Sequence, residues 1–310
     1  MEFPRMSVEA LEARLEPPKG RKVRAVLDTD TYNEIDDQFA LAQMILSPDT
    51  FDVKAIHAAP FHNKRSDGPA DGMQKSYEEI LRLLEFLGVS PEGLAFKGST
   101  EYMSKRDEPV KSESVDNLIK LAMDGDPDGN DDPLYVLAIG AITNVSSAIV
   151  AEPKIMEKIV LVWLGGNEHH WDSAAEFNLK QDRIASQIVF DCGVPLVHIP
   201  CQKVTTHLLT TIPELEFYLK DKGPLAHYLY EIVREYGGGY AWSKVIWDVS
   251  APSWVINPDW VPTKLDASPI LNDDLTYTID PSRHPVRVAY RINRDAVLGD
   301  VFRKVTGFKK

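Results

Sequence analysis

The sequence predicts an α/β fold, a mostly parallel central sheet flanked by helices, with a small additional antiparallel element near the C-terminus. Three observations predict it. Strand-length apolar runs alternate with helix-length segments between residues 24 and 199. The runs at 134–139 (LYVLAI) and 159–164 (IVLVWL) are almost continuously apolar, as strands covered on both faces are. The last third instead carries shorter β-type runs, LTYTID and VRVAYRI within residues 260–293, which suit an antiparallel edge or an appended sheet.

In chain order, residues 1–20 read as an N-terminal helical extension, amphipathic from Val8 to Leu15 and closed by Pro17-Pro18. Residues 24–28 (RAVLD) give the first strand, 38–46 (QFALAQMIL) a helix, 51–59 a second strand and 76–87 a second helix. After strand 134–139 come a helix at 144–150, strand 159–164, a helix at 184–190 and strand 195–199 (PLVHI). Residues 213–236 read as helical, and 124–132 (DGDPDGNDD) as a turn-rich connection. No fixed-period repeat or low-complexity tract interrupts the pattern, so residues 1–310 are expected to form a single domain.

Composition narrows the function. The 310 residues carry 34 basic and 47 acidic side chains, a formal charge of −13, which disfavours a nucleic-acid partner and an anionic membrane surface. A hydrophobic fraction of 44% rules out disorder of the whole chain. Cys192 and Cys201 make neither a disulfide framework nor a metal-ligand spacing, which fits a reducing compartment. The first residues have no apolar core of signal-peptide length and no run approaches a membrane span. A soluble, cytoplasmic protein is expected.

The informative stretch follows the first strand. Asp28, Asp30, Asp36 and Asp37 fall within ten residues, where an apolar strand ends and an apolar helix begins. One or two acids there would read as a helix cap and solvated turn residues. Four converging carboxylates repel unless a cation or proton compensates. Oxygen-only ligands point to a hard cation, Ca²⁺ or Mg²⁺, and no Cys/His cluster suggests zinc.

Asp28-Thr-Asp-Thr-Tyr32 begins like the D-x-D motif of haloacid dehalogenase-type phosphohydrolases. No Gly-Asp acidic pair follows a late hydrophobic strand to complete that pattern. The sequence resembles the inosine–uridine nucleoside hydrolase family more fully. That family has D-x-D-x-G-x-D-D before an apolar helix; here D-T-D is followed by I-D-D and QFALA, with the loop 31–35 two residues longer and without the glycine. Leu137-Ala-Ile-Gly-Ala-Ile-Thr-Asn-Val resembles its strand and G-x-[LI]-T-N turn. Trp163-Leu-Gly-Gly followed by Ala175-Glu-Phe-Asn-Leu resembles its M-G-G…A-E-F-N stretch, and Lys244-Val-Ile-Trp-Asp-Val its late aspartate segment. The likeness covers residues 22–260.

The resemblance implies a calcium-dependent N-ribohydrolase that yields free base and ribose from a small-molecule nucleoside, working as a homodimer or homotetramer. It implies that Asp30 is both metal ligand and general base. Asp37, Asp248 and the Thr143 carbonyl would complete the metal shell, and Asp28 would support the loop and the metal. Asp36, Glu176 and Asn178 would hold ribose. His170 aligns with a sugar-contacting asparagine, and Asn63 or the neighbouring His62 with another. Trp247 stands where the family often has a histidine acting on the leaving base. A purine-preferring branch carries tryptophan there and stacks it on the base. The triple glycine between Tyr236 and Tyr240 reads as a helix cap and turn or as a flexible flap. The alternatives are a Mg²⁺-dependent phosphohydrolase and a catalytically impaired nucleoside- or sugar-binding protein.

Overall fold

The structure is a computed structural model that describes residues 3–127 and 129–309. Asp128, inside the expected 124–132 connection, lies outside the described residues.

The apolar runs become strands β1 (Val23–Thr29), β2 (Phe51–Ala58), β3 (Ala95–Lys97), β4 (Leu134–Ala138), β5 (Ile159–Leu164) and β6 (Leu196–Ile199). Two-residue strands β7 (Leu209–Thr210) and β8 (Lys244–Val245) pair with each other. They are followed by β9 (Thr263–Ala267), β10 (Ile270–Leu271), β11 (Tyr277–Thr278) and β12 (Pro285–Ala289). One eight-stranded sheet runs β3-β2-β1-β4-β5-β6-β12-β9. All its pairings are parallel except that of the edge strand β9 with β12. β10 and β11 form a separate antiparallel ribbon. The antiparallel element expected near the C-terminus is therefore present.

The helices are α1 (Val8–Arg14), α2 (Asp37–Ile45), α3 (Pro69–Leu87), α4 (Glu113–Asp124), α5 (Thr143–Ala151), α6 (Phe177–Gln181), α7 (Arg183–Cys192), α8 (Ile212–Tyr218), α9 (Pro224–Tyr236), α10 (Ser250–Ile256) and α11 (Arg294–Gly307). Period-two alternation in β1 sorts them. Ala25 and Leu27 join the cluster containing Phe39 of α2, Ile80 of α3, Leu229 of α9 and Trp254 of α10. Val26 faces the opposite cluster, with Leu118 of α4, Ile149 of α5 and Ile188 of α7.

Three differences from expectation have local causes. α3 starts seven residues before 76, because Pro69 at its first turn opens it. Gly72 reads in sequence as a breaker but permits close packing: a Cβ there would lie 1.9 Å from the Phe61 carbonyl oxygen. The expected helix 213–236 is two helices, split where Asp221 (φ 58°) and Gly223 (φ 116°) reverse the chain before Pro224. Helix α4, opened by Ser112 accepting from the Val115 N–H (3.2 Å), has no counterpart in the expected elements.

The strand order places the functional region. From β1 the chain builds outward through β2 and β3, then returns to the other side of β1 with β4. Such a reversal leaves a crevice beyond the carboxyl ends of the two central strands, where ligands bind in open α/β sheets. Asp28 and Asp30 lie at the end of β1, and Ile139 and Gly140 at the end of β4.

Candidate active site

The crevice is a cleft of about 270 Å³, lined by Asp30, Asp36, Asp37, Glu176, Asn178, Trp247 and Asp248 among others. Seven residues singled out in the sequence, scattered over more than two hundred positions, thus meet at one place.

Each carboxylate has its own support. Asp28, within β1, accepts from Asn144 Nδ2 (2.8 Å), and burial pushes its pKa up to about 7. Asn144 also bonds the Ala58 carbonyl (3.3 Å) and the Ser99 N–H (2.8 Å), so it ties β1, β2 and the loop after β3 together. Asp30 is 1% exposed, and neither of its oxygens has a hydrogen-bond partner. Burial holds its carboxyl well above the usual range, and Asp37 and Asp36 push it further. Gly140 leaves room for it: a Cβ there would sit 3.0 Å from Asp30 Cγ.

Asp36 occupies the N-cap position of α2 but makes no capping bond, which removes the simple helix-cap reading. Its oxygens instead take the Trp247 N–H (2.9 Å) and Lys244 Nζ (3.4 Å). Asp37 accepts from Thr29 Oγ1, and burial, then Asp36, push its pKa up to about 7. Asp248 precedes α10; burial holds its carboxyl well above the usual range, and Asp36, Asp37 and Asp30 add to the rise. Oxygens of Asp36, Asp37 and Asp248 lie within 4.8 Å of one another.

This donor set fits a hard divalent cation. It is all oxygen, tightly grouped and buried, and Asp30 beside it has two orphaned oxygens. Leaving such carboxylates uncompensated is costly, which is why burial and mutual repulsion raise their pKa values.

On the opposite wall, Glu176 caps α6, accepting the N–H groups of Asn178 (3.0 Å) and Leu179 (3.2 Å), and also that of Gly166 (2.8 Å). Asn178 Nδ2 is taken up by the carbonyls of Ile139 (3.0 Å) and Leu164 (3.1 Å), leaving Oδ1 for a ligand. Both residues are fixed before any ligand arrives.

Three expected site residues lie elsewhere. Thr143 opens α5, where its carbonyl points along the helix, and its hydroxyl donates to Asp182 (2.7 Å) rather than facing the cleft. The residue of that turn that lines the cleft is Ile139. His170 is exposed on its loop; Asn167, directly after the Gly-Gly turn, lines the cleft instead. Asn63 does not line it either. Its amide is occupied by Asn33 (Nδ2 to Oδ1, 2.6 Å) and by the Arg65 N–H (2.8 Å), so it fastens the longer loop. His62 is exposed.

That loop brings groups the sequence reading missed. Asn33 and Glu34 line the cleft, and Glu34 pairs with Lys244 (2.6 Å). The Arg65 guanidinium lies 4.1 Å from the centre of the Tyr32 ring. Phe177, Cys201 and Gln202 also line the cleft. The available signal for Phe177 was its place inside the Ala175–Leu179 stretch; Lys244 and Glu34, 210 positions apart, gave none.

The fold is similar to that of solved nucleoside hydrolases. A plant nucleoside hydrolase, PpNRh1, superposes with a TM-score of 0.72 at 18% identity, covering 93% of this chain and 100% of that one. A purine-preferring ribonucleoside hydrolase from Gardnerella vaginalis gives 0.68 at 20%, covering 92% and 98%. The class is thus the nucleoside hydrolase fold. A model of the inosine-uridine preferring nucleoside hydrolase family matches residues 25–299, and the chain belongs to that family, hydrolases acting on N-glycosyl compounds. Among curated relatives, a probable uridine nucleosidase 2 of Arabidopsis thaliana is 24% identical over 70% of each chain. The pyrimidine-specific ribonucleoside hydrolase RihA of Citrobacter koseri is 28% identical, matched over 52% of this chain and about half (55%) of its own length.

Proposed function

We propose that this chain is a calcium-dependent nucleoside N-ribohydrolase, cleaving a ribonucleoside to free base and ribose. The observation that carries the reading is Asp30, buried with two unpartnered oxygens beside the Asp36, Asp37 and Asp248 group. Asp30, Asp37 and Asp248 would hold the ion, with a backbone oxygen from Ile139 in place of the Thr143 carbonyl. When bound, such an ion lowers the pKa of water and offsets the crowded charge. Calcium accepts an irregular all-oxygen shell more readily than magnesium.

The remaining steps belong to the chain. Asp30 takes the proton of the attacking water as C1′ gains oxocarbenium character. Asp36, Glu176, Asn178 and Asn167 hold the ribose hydroxyls, and Asp28 keeps the β1 end in place through Asn144. Trp247 and Phe177 offer aromatic surface to a flat base. A purine preference is the finer reading, supported by Trp247 in the cleft wall. We further read the protein as a cytoplasmic homodimer or homotetramer acting as one domain on small molecules; among the described residues, no helix is long and apolar enough to cross a membrane.

The test is product analysis of the calcium-loaded protein with inosine, uridine and inosine monophosphate. Free base from the nucleosides supports the reading. Phosphate alone would restore the phosphohydrolase alternative, and binding without turnover would favour a sugar- or nucleoside-binding protein.

A further inference from the structure

A second cavity, of about 400 Å³, lies behind the loop 31–35, among α2, α3 and α9. Among the described residues it shares no lining residue with the cleft: Tyr32 and Ile35 line this cavity, whereas Asn33 and Glu34 line the cleft. The loop is therefore the wall between the two. Gln38 and Glu79, each 2% exposed, bring their polar heads together in the cavity wall. Gln38 stands at the start of the otherwise apolar QFALA run. Its Nε2 donates to the Thr31 carbonyl (2.8 Å) and to Glu79 Oε1 (3.4 Å), which fixes the orientation of the amide and leaves its Oε1 without a partner. Glu79 Oε1 also accepts from the Tyr228 hydroxyl. Glu79 Oε2 has no hydrogen bond; Arg82 Nη1 lies 3.3 Å away without the geometry of one. Two neighbouring buried acceptors with no donor are a costly arrangement that a ligand with two adjacent N–H groups would relieve.

Charge around the cavity adds a second requirement. Lys64, Arg65 and Arg82 line it against Glu79 and Glu235, three cations to two carboxylates. Glu34, across the loop, is paired with Lys244 (2.6 Å). Arg65 gives Nη1 to the Glu34 carbonyl (2.8 Å) and lies on the Tyr32 ring, with Tyr236 at 6.0 Å, while Lys64 is exposed. The rim thus favours an anion, and the wall between Gln38 and Glu79 asks for donors.

We infer that this cavity is a second ligand site, for a guanine nucleotide. Guanine presents its ring N1–H and its amino group side by side, the donor pair that the two orphaned oxygens lack; adenine has the amino group without the ring N–H. The phosphate falls to Lys64 and Arg65, and Tyr236 offers ring surface to the base. Arg82, 55% exposed, turns aside to admit it. Because Gln38 also holds the Thr31 carbonyl, an occupied cavity braces the loop whose other side carries Asn33 and Glu34. Binding does not depend on the nucleosidase reading; the effect on turnover rests on it.

The test is calorimetry of the calcium-loaded chain with GMP, AMP and inorganic phosphate, in wild type, Glu79→Gln, Lys64→Ala and Asp248→Asn. The expected result is one GMP per chain, bound about tenfold or more tighter than AMP or phosphate. Glu79→Gln, which puts a donor where an acceptor is needed, should weaken it about tenfold and Lys64→Ala about threefold. Asp248→Asn, a change in the cleft, should leave it within about twofold. KM for inosine or uridine, whichever is cleaved, should fall about twofold or more with GMP present and kcat unchanged. No binding at millimolar GMP, equal binding of AMP, or binding lost in Asp248→Asn and kept in Glu79→Gln would overturn the site. Phosphate bound as tightly as GMP would reduce it to an anion site and overturn the nucleotide. Should Glu79→Gln fail to fold, Lys64→Ala and the AMP comparison decide. An unchanged KM with binding intact would strike the coupling to the cleft, whereas cleavage of no riboside would overturn the nucleosidase reading and leave the site standing.

Discussion

Asp30 concentrates the electrostatic cost of the cleft, because among the described residues neither of its oxygens has a hydrogen-bond partner and its charged neighbours are carboxylates. Asp30→Asn should lower turnover roughly 10²–10⁴-fold. The same change should stabilise the metal-free protein at pH 8 by ~1–3 kcal/mol, since it removes an uncompensated carboxylate. Kinetics and thermal melts of one preparation check both signs. Asp28 and Asp37, with pKa values pushed up to about 7, set the pH dependence. Their folded pKa values exceed the unfolded ones, so the stability they contribute is complete below about pH 4 and falls as pH rises towards 7. The metal-free protein should therefore lose stability across that window, and the gain in Tm on adding Ca²⁺ should grow from pH 5 to pH 8. A calcium increment independent of pH would contradict this. The four N-terminal aspartates were legible in the sequence because they fall within ten residues around one strand end. Thr143 and His170 do not line the cleft, whereas Ile139 and Asn167, four and three positions before them, do; a turn's sequence does not fix which of its residues faces a cavity.

The longer loop 31–35 is a built element. Asn63 grips Asn33, Arg65 Nη1 bonds the Glu34 carbonyl (2.8 Å), and Lys244 bridges Glu34 and Asp36. Lys244 sits in β8, three and four residues before Trp247 and Asp248, so this bridge joins the N-terminal acids to the late segment. Lys244→Met should cost about 2 kcal/mol, below the usual figure for a broken buried pair because Glu34 is 36% exposed. KM for the riboside should rise, and denaturant melts with steady-state kinetics would show both. Asn63→Ala should raise KM about tenfold with little change in kcat, as a loosened loop weakens binding more than chemistry. Most sheet strands were readable as apolar runs. Helix α4 was readable too but passed over: Val115, Leu118, Ile119 and Ala122 recur at helical spacing after the Ser112 cap.

Across the whole molecule, the sheet order explains why distant residues meet. The reversal at β1 opens the cleft beyond β1 and β4, and Asp248, on the segment between β8 and α10, reaches the same oxygens from outside the sheet. The strand–helix alternation made the sheet legible, but the contact between residues 36 and 248 is a property of the folded chain that no local pattern carries. The central claim is that these carboxylates enclose one divalent ion. Calcium titration of chelator-stripped protein, followed by calorimetry in wild type and in Asp248→Asn, tests it most directly. One ion per chain in wild type, with binding weakened at least a hundredfold in Asp248→Asn, is the predicted result; no binding at millimolar calcium, or equal binding by both proteins, would contradict it.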